Sequence, residues 1–235
     1  MIGDDCEDDI DNKNLGLKWQ VRDDTWKVSA DINLSGRQRG VKNPDKNIDT
    51  VEQARVLFEA GVNKKLLCRI VHCLYDPLNM FINVHTNLKL LFRQFLINNP
   101  GIGWNDTAKS FDCNDWLAVI QQILECREMK IDRFVLRGTI KMECQLIVMV
   151  DGSSLASAFR CFVRFKTEDG VKVNYLMGGS KLAGVGGNTA AKCEVESALM
   201  GARAIASIHN TMKNISFTEN ILISDSLICL GGLCR

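Results

Sequence analysis

The sequence predicts an α+β protein: a mostly helical N-terminal connecting region with a β-hairpin, then an α/β module with a mixed sheet, cut short at its C-terminal end. Three observations carry this. Residues 15–31 alternate apolar and polar side chains around Asp23-Asp24, the signature of a hairpin. From Thr50 to about Leu96, apolar residues recur at helical spacing. After Lys141 the chain changes to short apolar runs separated by turn residues, with one long helical run before a last strand.

Bulk composition bounds the reading. Of 235 residues, 46% are hydrophobic and 24% charged, enough apolar material for a packed core and too little charge for a disordered chain. The net charge of +1 conceals an asymmetry, because the first 11 residues, MIGDDCEDDID, carry six acids and no base. The remainder is mildly basic, which permits contact with nucleic acid without requiring it. The ten cysteines form no C-x-x-C pair, so neither a zinc ribbon nor a disulfide framework is expected. They read as small hydrophobes in a reducing, cytoplasmic setting. No apolar stretch approaches the roughly 18 residues of a membrane span, and the acidic start is unlike a signal peptide.

Residues 1–14 read as a solvated acidic segment; Asp4, Asp5, Asp8 and Asp9 lack anything to fix a metal geometry. In the hairpin, Leu15, Leu17 and Trp19 share one parity and Trp26 and Val28 the facing one. Residues 33–49 read as a loop whose Arg37, Arg39, Lys42 and Lys46 are either solvated or set against phosphate. Thr50 is the expected N-cap of a first helix, with Glu52 and Gln53 behind it. A second helix runs from near Lys64 to Leu74 and stops before Asp76-Pro77, since the residue before proline resists the α conformation. A third runs from about Asn79 to Ile97, and NNPGIGWND (98–106) is a turn cluster. A fourth spans roughly 114–128, capped by Asp112 or Asn114, with Trp116, Leu117, Ile120 and Leu124 on one face. Residues 131–137 read as a connecting strand. The segments therefore divide into 1–14, 15–138 and 139–235.

In the last segment the order is strand (144–151), strand (156–166), strand (171–178), Gly-rich loop (178–188), helix (190–208), strand (220–225) and the start of a helix at Ser226. Short turns make the first three strands an antiparallel meander. The helix then returns the chain so that the fourth strand can pair parallel with the first. Asp151 and Asp225 fall at the carboxyl ends of those two strands, where open α/β sheets assemble their sites. Glu194, with Glu196 beside it, lies in the first turns of the helix, whose apolar face reads as Val195, Leu199, Ala202 and Ile205/Ala206. Asp151, Glu194 and Asp225 are thus the candidate catalytic and metal-ligating residues. Three converging carboxylates suit Mg²⁺ or Mn²⁺, and a two-ion site can activate water and stabilise a leaving oxygen in phosphodiester cleavage. Taken singly, each has a plainer use: Asp151 in an Asx-turn, Glu194 at a helix N-terminus, Asp225 as an N-cap. Ser153, Arg164, Ser180, Lys181 and Ser226 are the candidate substrate-binding residues, with Arg160, Lys166 and Lys172 as further basic groups for gripping phosphate.

Seven motifs in order carry a family resemblance: NLGLKW with DDTWKVS, KKLLCRIVHCLYDPLNMF (64–81), GIGWND (101–106) with Trp116, VDGSSLASAF (150–159), GGSKLAGV (178–185), CEVESALMGARAIASI (193–208) and ISDSLICL (223–230). Over residues 15–235 the chain resembles the Pol polyprotein of BEL/Pao-type LTR retrotransposons, in the region named for a Pao peptidase. The resemblance implies that residues 15–138 are reverse transcriptase thumb and connection. It implies that 139–235 form a ribonuclease H-like domain, with Glu194, counted back from Gly201-Ala202-Arg203, as the family's metal carboxylate. It also implies an RNA–DNA hybrid as substrate, a polymerase palm upstream in the same polyprotein, and a virus-like particle in the cytoplasm. The alternative is a non-catalytic module that binds nucleic acid or protein. Departures from the family pattern, such as Gly152, Phe159, Leu182, Gly184 and Lys192-Cys193, together with an end before a fourth site residue, point to a truncated or degenerate copy. Aspartic peptidase chemistry is not expected, because Asp151-Gly152-Ser153 is not set in a protease-like segment. His72, His85 and His209 read as structural.

Overall fold

The computed structural model describes residues 13–14, 17–34, 46–133, 136, 144–186, 188–227 and 231. The first core is built by residues 17–131. Strands β1 (Lys13–Asn14), β2 (Leu17–Gln20) and β3 (Thr25–Val28) precede the two-stranded pair β4 (Ile32–Asn33) and β5 (Asn47–Ile48). Helices α1 (Val51–Glu59), α2 (Lys64–Val71), α3 (Ile82–Asn98) and α4 (Asn114–Cys126) follow, and β6 (Lys130–Asp132) returns to pair with β3. The hairpin keeps the expected parity, with Leu17 opposite Val28 and Trp19 opposite Trp26. Asp24 takes the left-handed conformation (φ 53°), which a short polar side chain tolerates.

Helix starts follow capping chemistry. The Thr50 hydroxyl accepts from the Gln53 amide while the Gln53 side chain accepts from the Thr50 amide, a reciprocal pair that satisfies two N–H groups otherwise without a helical partner. Asn63 caps α2 through Leu66, and α2 ends at Val71, earlier than the proline rule alone suggested. At α4 the expected cap is displaced: Cys113 occupies the position without a side-chain bond, and Asp112 accepts from the Asn114 amide. Arg127, beyond the end of α4, ties this layer to the small strand pair by donating to the Ala30 and Ile48 carbonyls and the Asp49 carboxylate. Residues 33–49 are therefore not all loop, since β4 and β5 close their ends. Arg37, Arg39, Lys42 and residues 1–12 lie outside the described residues, and Lys46 is exposed. The expected boundary near residue 138 also falls outside them.

The second core is a four-stranded sheet covered on one face by a helix. Strands β7 (Cys144–Gly152), β8 (Ala156–Thr167) and β9 (Gly170–Leu182) form an antiparallel meander. Helix α5 (Ala190–Thr211) then leads to β10 (Phe217–Ile223), which pairs parallel with β7 in the order β10-β7-β8-β9. The expected topology is present. Two local readings change. Residues 178–182 are strand rather than loop, because Gly178 and Gly179 let another chain segment and the Phe159 ring approach; a methyl group on Gly179 would stand 2.5 Å from that ring. The buried face of α5 is Cys193, Ser197, Gly201, Ala204 and Ile208, while Val195, Leu199, Ala202 and Ala206 are exposed. Up to Ala204, small volume rather than hydrophobicity selects the face that touches the sheet. A helix beginning at Ser226 lies largely outside the described residues.

The two cores meet where the loop before α3 lies against β9. The Tyr175 hydroxyl is 2.9 Å from the Leu78 carbonyl and 2.8 Å from that of Asn79, and the Gly178 amide donates to Leu78 at 2.9 Å. Thr86 of α3 donates to the Ser180 hydroxyl at 2.8 Å.

A methyl group on Gly201 would lie 2.6 Å from Val150 Cγ1 and 3.1 Å from Val148 Cγ1, both stiff β-branched side chains. Gly201→Ala is therefore expected to lower stability by about 1–3 kcal/mol despite its better helix propensity. Leu199→Gln, on the exposed flank, stays within about 0.5 kcal/mol of wild type. Chemical denaturation of both variants checks this.

Candidate functional site at the carboxyl end of the sheet

Strand alternation decides where each side chain on β7 goes. Leu146, Val148 and Val150 are buried beneath α5, so Asp151 projects to the opposite face and is exposed, and Gly152 turns back toward the helix. The approach there is close. A methyl group on Gly152 would stand 2.4 Å from the Glu194 amide nitrogen and 2.6 Å from the Cys193 carbonyl oxygen. The first turns of α5 therefore rest directly on the backbone that follows Asp151. Thr189 starts the helix by accepting from the Lys192 amide. Ser157, the neighbour of Gly152 on β8, is fully buried and donates to the Cys193 carbonyl at 2.9 Å.

Glu196 is ion-paired with Lys181 of β9, and the Lys181 ammonium holds its carboxyl below the ordinary range. With 3.6 residues per turn, Glu194 lies about 160° around α5 from Glu196. Glu196 points toward the β9 side, so Glu194 is on the flank nearer β10. Strand β10 leaves its pairing at Ile223, opposite Met149, so Asp225 follows two residues beyond, as Asp151 does on β7. Strands β7 and β10 and helix α5 thus deliver one carboxylate each to one end of the sheet. Among the described residues, however, no three His, Cys, Asp or Glu side chains stand together closely enough to hold a metal ion. The donor set, three carboxylates at adjoining element ends, fits a hard divalent ion in its chemistry. The side chains as they stand are not drawn into one shell.

The remaining candidates separate. The Ser153 hydroxyl accepts from the Leu155 and Ala156 amides and closes the β7–β8 turn. Ser180 is engaged with Thr86 at the junction of the two cores. Ser226 is buried next to Asp225, its amide bonded to the Ser224 hydroxyl. Arg164 donates to Gln145, which in turn donates to Glu219. That polar row lies six residues down the strand from Asp151, about 20 Å at 3.3 Å per residue. Arg160, Arg164 and Lys166 share the face of Asp151, whereas Lys172 and Lys181 lie on the α5 face, so the basic residues do not form one surface. Arg160 lies on the face of Asp151, opposite Met149 and two residues from Ala158, the partner of Asp151. From sequence Gly152 stands out only as a departure from the family pattern and Ser157 not at all; the legible signals were a glycine and a serine at inward-facing strand positions.

The cysteines behave as the composition suggests. The described ones are free thiols. Burial pushes Cys126 and Cys161 up to about 11 and Cys73 to about 12, which keeps them protonated at neutral pH. No helix among the described residues is long and apolar enough to cross a membrane.

Comparison with known families gives one match. The model of a family described as Pao retrotransposon-like RNaseH-like domain covers residues 63–226, from the start of α2 to Ser226. No curated protein matches the chain.

The contact at Gly152 is backbone against backbone, so it has no flexible side chain to yield. Gly152→Ala is expected to displace the first turn of α5, lower stability by about 1–3 kcal/mol, and raise amide exchange at Lys192–Glu194 relative to the C-terminal half of the helix. Hydrogen exchange resolved by residue is the measurement.

Proposed function

Because the chain belongs to the Pao retrotransposon-like RNaseH-like domain family, we propose that it is the ribonuclease H-type part of a retrotransposon Pol polyprotein, hydrolysing the RNA strand of RNA–DNA hybrids. The observation that carries this reading is the parallel pairing of β10 with β7 under a helix whose first turn touches Gly152. It brings Asp151, Glu194 and Asp225 to one end of the sheet from three separate stretches of chain.

In this reading those three carboxylates would hold Mg²⁺ or Mn²⁺, as one ion or a pair. The bound ion supplies an acidified water and charge compensation at the leaving oxygen. The chain's own residues position and exclude. Asp151 and Glu194 are set by the Gly152 contact, and Ser157 and the Lys181–Glu196 pair fix the helix start against β8 and β9. Arg160, on the face of Asp151, meets the phosphate backbone, and the hybrid is read by shape and 2′-hydroxyls rather than by sequence. The partner upstream is a polymerase palm that makes the hybrid, and the setting is a cytoplasmic particle.

A second reading, a module that holds nucleic acid or protein without turnover, is favoured by the absence of a preassembled three-ligand cluster among the described residues. The two separate in one assay. With Mg²⁺ or Mn²⁺, wild type is expected to cut a labelled RNA–DNA hybrid and not the matching DNA duplex. Asp151→Asn, Glu194→Gln and Asp225→Asn each reduce the rate at least about 100-fold, beyond what loss of a supporting residue costs. Binding of hybrid that weakens with salt, with no cleavage by wild type under any divalent ion, overturns the enzymatic reading and leaves the second.

A further inference from the structure

The segment Asp76-Pro77-Leu78-Asn79, one of the motifs singled out in the sequence, plays no part in the site above, yet the junction of the two cores is built on it. Asp76 is buried, its side chain 1% exposed, and Oδ2 accepts from the Phe81 amide at 2.7 Å, which folds the loop back on itself. Asn79 completes the turn in the left-handed conformation (φ 54°). The loop then offers its Leu78 and Asn79 carbonyls to the Tyr175 hydroxyl and the Gly178 amide of β9.

Behind the carboxylate, His85 of α3 places Nε2 4.0 Å from Asp76 Oδ2. That is beyond hydrogen-bond range. Asp76 Oδ1 and His85 Nε2 are both buried without a hydrogen-bond partner. Two such atoms, on side chains that approach to 4.0 Å through Oδ2, are costly to keep. We propose that Asp76 and His85 form an acid-sensitive latch between the two cores, in which proton uptake by His85 releases the loop at 76–79 from β9.

The surroundings set the direction. Burial disfavours the imidazolium most, Asp76 opposes that, and Lys89 one turn along α3 and His72 at the end of α2 add to it, so His85 is held below its ordinary value of 6.5. The other titratable groups around Asp76 are the Cys126 thiol of α4 and the Tyr175 phenol of β9, both protonated at neutral pH because burial raises them, with Arg160 of β8 acting on Tyr175. Neither charges in the acid range. With the folded value below 6.5, the opened state binds more protons than the closed one between the two. The closed junction is thus fully favoured above about pH 6.5 and weakens as pH falls from 6.5 toward the folded value.

The test is residue-resolved amide exchange of the full chain from pH 8 to 5, with opening equilibria corrected for the intrinsic exchange rate. For the Gly178 amide, opening is expected to rise below pH 6.5 by up to tenfold per pH unit, the limit for one proton. Val148 on the central strand does not follow, and His85→Gln removes the slope. A flat Gly178 profile, or an unchanged slope in His85→Gln, overturns the latch. If that variant does not fold, the ring titration of His85 by NMR in wild type decides: a midpoint below 6.5 supports the latch, and one at or above 6.5 overturns it.

Discussion

The seam between α5 and β7 is the constraint from which the second core and its candidate site follow. A helix laid on a sheet normally stands off by the depth of the side chains between them. Here Gly152 and Gly201 remove that depth at two points two turns apart, and Cys193, Ser197 and Ala204 keep it small in between. The consequence at the lower point is packing of Val148 and Val150 beneath the helix. At the upper point it is the placement of Glu194 beside the backbone that follows Asp151. One geometric device, close approach through small residues, serves stability along the helix and placement at its start.

The first core acts as a buttress to this arrangement. Its first two helices are held by side-chain caps and its fourth by the Arg127 clasp, and it meets the sheet through a loop whose own fold depends on a buried carboxylate. Strand β9 therefore has two attachments. Its lower part receives the loop before α3, and its upper part, through Lys181, steadies the helix that bears Glu194. The family match begins at the start of α2, so helices α2–α4 and the four-stranded sheet fall within a single matched region.

Much of this was legible in the residues. The Thr50 cap, the hairpin parity of Trp19 and Trp26, the meander and the parallel return of the last strand all follow from periodicity and turn chemistry. The face of α5 was misread because Val195 and Leu199 are the more hydrophobic residues, whereas the first part of the helix meets the sheet through the small residues Cys193, Ser197 and Gly201. Glycines 178 and 179 suggested a loop because sequence does not show which neighbour needs the room. The sides taken by Lys172 and Lys181 depend on a bulge between Cys161 and Phe162 that shifts the β8–β9 register, and no local signal marks it. That Asp151 faces away from α5 was available from the apolar alternation of Val148 and Val150.

The parallel pairing of β10 with β7 also governs when the molecule matures. Gln145 and Glu219, bonded across it, are 74 positions apart, whereas the meander and its turns join near neighbours. Contacts between distant stretches carry the largest loop-closure cost and form late. As a ribosome releases the chain, β7, β8 and β9 can associate while β10 is still unmade. Asp225 reaches the end of the sheet that carries Asp151 only with this last pairing, so a nascent or partly folded chain lacks it there.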